Sequence, residues 1–275
     1  MNELRSPWKR LVIGLPPGLA DRAGIDAAVQ LAESLNIDLL ATFIADASVL
    51  ALAAMPGLRE LRALEQEWQL LDPARLSRDI EQAIDFARRR FAESVSGRTI
   101  KTGFDVLSGA EAIRSIVGPS DILAVIEPGH PAERIARQFT GLVEAAFEVA
   151  GAILFIPRRI AQKTGPIVTD ALSSKHPEIR IALEIAAACK ERLIVVDPSD
   201  AGLPIELPAQ AKRLGIEIDR VAVGVPWADE SPLLSFGHLR ARLRVLTRRP
   251  MLRDPQQIFS LLQGIPLLLI EPRRV

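Results

Sequence analysis

The stretch LVIGLPPGLADRAGIDAAVQLAESLNIDLLATFI, residues 11–44, decides the fold. Its opening run, Leu11 to Leu15, is short, continuously apolar and closed by Pro16, Pro17 and Gly18, the pattern of a buried strand ended by a turn. Asp21 then stands at an N-cap position, ahead of Ile25, Ala28, Val29, Ala32 and Leu35 at helical spacing. A second apolar run, Ile37 to Ile44, follows after Asn36 alone. Strand, helix and strand joined by connections this short imply a right-handed parallel crossover.

The chain writes this unit twice. The step that leads back from Ala32 in AVQLA (28–32) to Pro16 leads from Ala186 in ALEIA (182–186) to Asp170, without a gap. Both copies also end alike, in AILFIPRR (152–159) and LLLIEPRR (267–274), and the second is shorter between its first helix and last strand. The duplication predicts two domains, residues 1–159 and 166–275, linked through Arg158 to Gly165.

Further strands are predicted at 99–107, 122–126 and 152–156 in the first copy, with helices at 76–94, 110–117 and 132–150. The second copy predicts strands at 166–169, 193–196, 220–223, 243–247 and 267–270, with helices at 178–190, 208–214, 233–240 and 256–263. Between Asp46 and Asp72 the spacing of Leu58, Leu61, Leu64, Trp68 and Leu71 is helical, and Met55, Pro56 and Gly57 break it earlier. Near-continuous apolar strands alternating with helices predict an α/β fold of two doubly wound parallel five-stranded sheets.

Lys plus Arg balances Asp plus Glu at 34 each, so the overall charge gives no reason to expect nucleic acid or an anionic membrane as partner. The most apolar stretch, Leu39 to Met55, is interrupted by Asp46 and falls short of the ~20 residues needed to span a bilayer. Residues 1–10 carry no signal-peptide core, and the single Cys189 forms no internal disulfide. A cytoplasmic protein is expected.

In doubly wound sheets ligands sit beyond the carboxyl ends of the strands, where strand order reverses. That rule selects Pro16 to Gly18 and Glu127 to His130 in the first copy, and Asp170 to Lys175 and Arg248 to Met251 in the second.

On the opening strand-helix-strand and the closing 141–159 segment, the chain resembles a tandem universal stress protein from Trp8 to Arg274. The resemblance implies the adenine nucleotide alpha hydrolase-like fold. In the nucleotide-binding branch it also implies an aspartate ending the first strand and a glycine-rich phosphate loop after the fourth, closed by a Ser or Thr. In the first copy Pro16 replaces the aspartate, and the loop starting at Gly129 would need glycines at Ala132 and Leu142. Gly141, preceded by Thr140, is the nearest glycine, and His130 adds a polar group beside Gly129. In the second copy Asp170 matches the aspartate and Ser173 adds a hydroxyl, while arginines from Arg248 onward stand in place of glycines. Asp170 is read either as a nucleotide contact or as a cap for the turn that follows it.

The three histidines are scattered, and the sequence holds no nucleophile elbow, Cys-x-x-Cys or Walker loop. Two readings follow. The first is a non-enzymatic stress-response or regulatory protein without a cofactor, its halves packed as an intramolecular pseudo-dimer through their fifth strands. The second is an adenine-nucleotide sensor or weak ATPase that binds ATP at Asp170. Residues 49–71, which have no counterpart in the second copy, are expected to cover the first site or to form a homodimer contact.

Overall fold

A computed structural model of the chain describes residues 7–17, 22–46, 49, 51, 55–62, 67–129, 137–171, 177–197, 202–204, 206–222, 240–248 and 255–271. The first half contains β1 (Arg10–Leu15), α1 (Arg22–Leu35), β2 (Asp38–Ala45), β3 (Arg59–Arg62), β4 (Glu67–Leu70), α2 (Pro73–Val95) and β5 (Thr102–Ser108). A 3-10 turn (Ala110–Ala112), α3 (Ile113–Ile116), β6 (Asp121–Ile126), α4 (Arg137–Val149) and β7 (Ala152–Ile156) complete it. The second half contains β8 (Ile167–Asp170), α5 (Pro177–Cys189), β9 (Leu193–Asp197), α6 (Leu207–Leu214), β10 (Ile218–Ala222), β11 (Leu243–Thr247), α7 (Pro255–Leu262) and β12 (Leu267–Ile270). The helix expected at 233–240 lies almost wholly outside the described residues.

Ten strands form one sheet in the order β10-β9-β8-β11-β12-β7-β6-β1-β2-β5. Counted within its own half, each set of five runs 3-2-1-4-5, and order reverses between the first strand and the fourth. Neighbours are parallel except at the seam, where β12 and β7 run antiparallel with Leu269 opposite Ile153 and Leu268 opposite Leu154. The two five-stranded halves are therefore joined edge to edge through their fifth strands. A strand edge left bare invites pairing with other chains, and this seam covers two of them.

The strands read as continuous apolar runs because helices cover both faces. Leu11, Ile13 and Leu15 turn to the face covered by α1 and α5, where they join Ile25, Ala28, Val29, Ala182 and Ile185 in one buried cluster. Val12, Leu123 and Val125 turn to the other face, against Ile113 of α3, Leu142, Val143 and Ala146 of α4, and Ile258 and Phe259 of α7. Each such fully buried side chain stabilises the fold by roughly 1.5–3 kcal/mol. Across the seam, the Phe259 ring of α7 meets Phe155 of β7 edge-on, with centroids 5.5 Å apart, and Phe139 of α4 at 5.7 Å.

Residues 59–62 and 67–70 depart from the expected helix. They form a two-stranded antiparallel hairpin, β3 with β4, in which Leu61 lies opposite Trp68. Leu61, Trp68 and Leu70 share one face under a period of two, a pattern that the helical spacing of 58, 61, 64, 68 and 71 obscures. The Leu71 amide donates to the Leu58 carbonyl at 2.8 Å and closes the hairpin base. Asp72 then caps α2, accepting from the Ala74 amide at 3.0 Å, with Pro73 in the first turn. Only the last part of α2 is fully buried, at Ala87, Phe91 and Ser94.

One titrating group gives the core a pH dependence. Burial raises the pKa of Glu184 on α5 above the ordinary carboxylate value, opposed by Arg180 at 3.5 Å. The folded chain thus holds this proton more tightly than the unfolded chain. The associated stability is present below the unfolded-state pKa and is lost as pH rises through the folded one. Urea midpoints of Glu184→Gln are expected to fall less than those of the wild type between mildly acidic and neutral pH. An unchanged profile would contradict this assignment.

Candidate functional site

The sheet has two points where strand order reverses, one between β1 and β6 and one between β8 and β11. At the first, β1 ends in Leu15 and Pro16, both buried. Pro16 brings neither a carboxylate nor an N–H to the strand end. Two residues earlier, Gly14 faces α4, and a Cβ placed on it would lie 2.9 Å from both methyl carbons of Leu142. Leu142, only 1% exposed, fills the space above the strand just below its carboxyl end. Gly141 has a packing role of its own, since a Cβ there would come within 3.3 Å of Ala110.

The loop after β6 is tied down by the residue that follows β7. The Arg158 amide donates to the Glu127 carboxylate at 2.9 Å, and the Arg158 guanidinium donates to the Gly129 carbonyl at 2.6 Å. Gly129 thus presents a carbonyl engaged with a cation. Thr140 is half-buried in the first turn of α4. His130 and Ser173 lie outside the described residues. On the opposite face, a cavity of about 590 Å³ opens beside Pro16 and Phe43 against Ala83 and Phe86 of α2, with the exposed Asp79 and Asp85 among its walls.

At the second reversal point Asp170 ends β8 and is wholly buried. The Ala171 amide donates to the Val196 carbonyl at 2.9 Å, continuing the pairing with β9 past Asp170. On the adjacent strand, the Thr247 hydroxyl donates to the carboxylate of Glu178 at 2.7 Å, and Glu178, in the first turn of α5, is also wholly buried. The structure therefore places two buried carboxylates at the start of this half, one on each of two neighbouring elements. A nucleotide phosphate would meet like charge there wherever these groups are ionised. The loop that Asp170 was expected to cap, Ser173 to Glu178, lies outside the described residues as far as 176.

Arg248, the first residue of the expected arginine loop, reaches across the seam to the end of α4. Its guanidinium donates to the carbonyls of Ala146, Phe147 and Ala150 at 3.3, 3.1 and 2.6 Å. It also lies 3.4 Å from Glu271 and over the Phe147 ring. Carbonyls at a helix C-terminus carry partial negative charge, so a cation is well placed there. Burial pulls the Arg248 guanidinium below the ordinary arginine value, with Glu271 opposing. This arginine is committed to the end of α4, across the seam from its own half. A further acid that the sequence did not single out, Asp197 at the end of β9, is held by Arg220 at 2.9 Å and by the Gly202 amide at 2.8 Å.

No model of a known protein family matches the chain, and no curated protein sequence matches it. Among solved structures, a universal stress protein from Archaeoglobus fulgidus DSM 4304 is similar over 94% of this chain and 96% of that one, at 11% identity and a TM-score of 0.57. The chain has the universal stress protein fold. A putative universal stress protein from Pseudomonas aeruginosa UCBPP-PA14 is similar over 96% of this chain and 94% of that one, at 14% identity and a TM-score of 0.47. The positions at which the resemblance calls for an aspartate and for the third glycine of a phosphate loop hold Pro16 and Leu142. Among the described residues, no helix is long and apolar enough to cross a membrane.

Proposed function

We propose that this chain is a non-enzymatic stress-response or regulatory protein of the universal stress protein type, built from two domains, residues 1–159 and 166–275, whose nucleotide sites are degenerate. The observation that carries this reading is Leu142, buried over Gly14 where a phosphate loop needs an open backbone. Pro16 removes the polar contact on the adenosine side. In the second half, Arg248 is engaged with the end of α4. A protein acting in this way works by contact with partners, in the cytoplasm, and needs no cofactor.

A second reading, an adenine-nucleotide sensor or weak ATPase, is favoured by Asp170 alone, an acid at the end of the first strand beside a reversal point. A thermal-shift screen of the full chain with ATP, ADP, AMP and cyclic nucleotides separates the two. A ligand at a hundred times its dissociation constant adds about 2.7 kcal/mol, which moves the Tm by several degrees. The expected result is no shift with any of them. A shift that disappears in Asp170→Ala would replace the first reading with the second.

A further inference from the structure

The β3–β4 hairpin is built with its polar face inward and its apolar face outward. Glu60 and Gln69, opposite one another in the register, are half-buried, and Glu60 forms an ion pair with Arg75 of α2. Leu61, Trp68 and Leu70 occupy the other face and are 54%, 62% and 65% exposed. A lone two-stranded hairpin is at best marginal in water, and a solvated apolar face removes the packing that usually rescues one. Nothing in the ion pair on its inner side uses the tryptophan or the two leucines.

We propose that this outer face is a dimer contact that seats the same face of a second copy of the chain. The exposed parts of the three side chains amount to roughly 400 Å², close to the apolar share of the ~800 Å² that each partner contributes to a standard interface. In an isologous contact the same face of each copy packs on the other about a twofold axis. Trp68 at its centre supplies the large, rigid anchor that dominates such interfaces. The charge on this face is compatible with the same pairing. Arg59, opposite Leu70 in the register, sits at the base end of the face. With the two hairpins antiparallel about the twofold axis, the arginines lie at opposite ends of the contact and do not face each other. The contact is remote in sequence from the β7–β12 seam, so it joins two whole chains and not two halves.

Sedimentation equilibrium of the full chain over roughly 1–200 µM tests this, a span suited to an interface of modest size. The mass is expected to rise from that of the 30.0 kDa monomer toward the dimer with increasing concentration. Trp68→Glu and Leu70→Glu are each expected to move the midpoint at least about tenfold higher in concentration with an unchanged circular dichroism spectrum. Val106→Glu, which charges an exposed apolar residue on β5, is expected to leave the midpoint in place. Trp68→Phe, which keeps an aromatic anchor, is expected to retain most of the association even if a charged variant perturbs the hairpin. A chain that stays monomeric throughout overturns the proposal, and so does a dimer indifferent to Trp68→Glu and Leu70→Glu.

Discussion

Replacing Leu142 by alanine is expected to lower the unfolding free energy by about 3 kcal/mol, read as a lower urea midpoint at unchanged slope. The side chain is buried at 1% exposure and packs onto a strand position that has no side chain of its own, Gly14. Neighbours on β1 have nothing to move into the space, so the cavity term persists, and the loss belongs toward the middle or upper part of the range for leucine truncation. The reciprocal change, Gly14→Val, overpacks the same contact and is expected to destabilise by about 1–3 kcal/mol. Because the two residues touch, Gly14→Ala introduced together with Leu142→Ala should recover part of the loss, a coupling of about 1 kcal/mol. A nearly neutral Leu142→Ala would mean that this leucine lines a void and does not fill a core.

The second large effect is expected at Arg248. Substitution by methionine keeps much of the apolar stem and removes the guanidinium, leaving the carbonyls of Ala146, Phe147 and Ala150 without this donor at the end of α4. Partly buried acceptors that lose a charged donor typically destabilise by about 1–3 kcal/mol, and loss of a cation near a helix C-terminus adds up to about 1 kcal/mol. The expected total is about 1–4 kcal/mol by urea unfolding. Arg248 belongs to the second half and α4 to the first, so the variant should also raise proteolytic susceptibility in both halves together. A loss below about 1 kcal/mol would mean that the arginine is dispensable at the helix end.

The large sheet was legible in the sequence because its strands are covered on both faces and therefore appear as unbroken apolar runs. The bounds of β7, β11 and β12 coincide with those expected from the runs at 152–156, 243–247 and 267–270. The hairpin was not legible in the same way. Its leucines and tryptophan satisfy a period near 3.6 about as well as a period of two, and the antiparallel backbone pairing of β3 with β4 separates the two.

The strand ends at the two reversal points were legible in the sequence, and the partners of the side chains around them were not. Counting between the copies located Pro16 and Asp170, and the phosphate-loop spacing pointed to Leu142. The engagement of Arg248 with α4 joins residues about a hundred positions apart, and the Thr247 to Glu178 hydrogen bond spans 69. Neither leaves a trace in local pattern, so a basic loop that suggested anion binding in the sequence opens with an arginine that serves as a helix end-cap in the fold.

The claim that the duplication carries the fold without the nucleotide site is tested most directly by calorimetric titration of ATP, at millimolar concentration, into the full wild-type chain. The expected result is heats no larger than those of dilution. A saturable binding heat, with one nucleotide per chain and a dissociation constant at or below the millimolar range, would contradict the account.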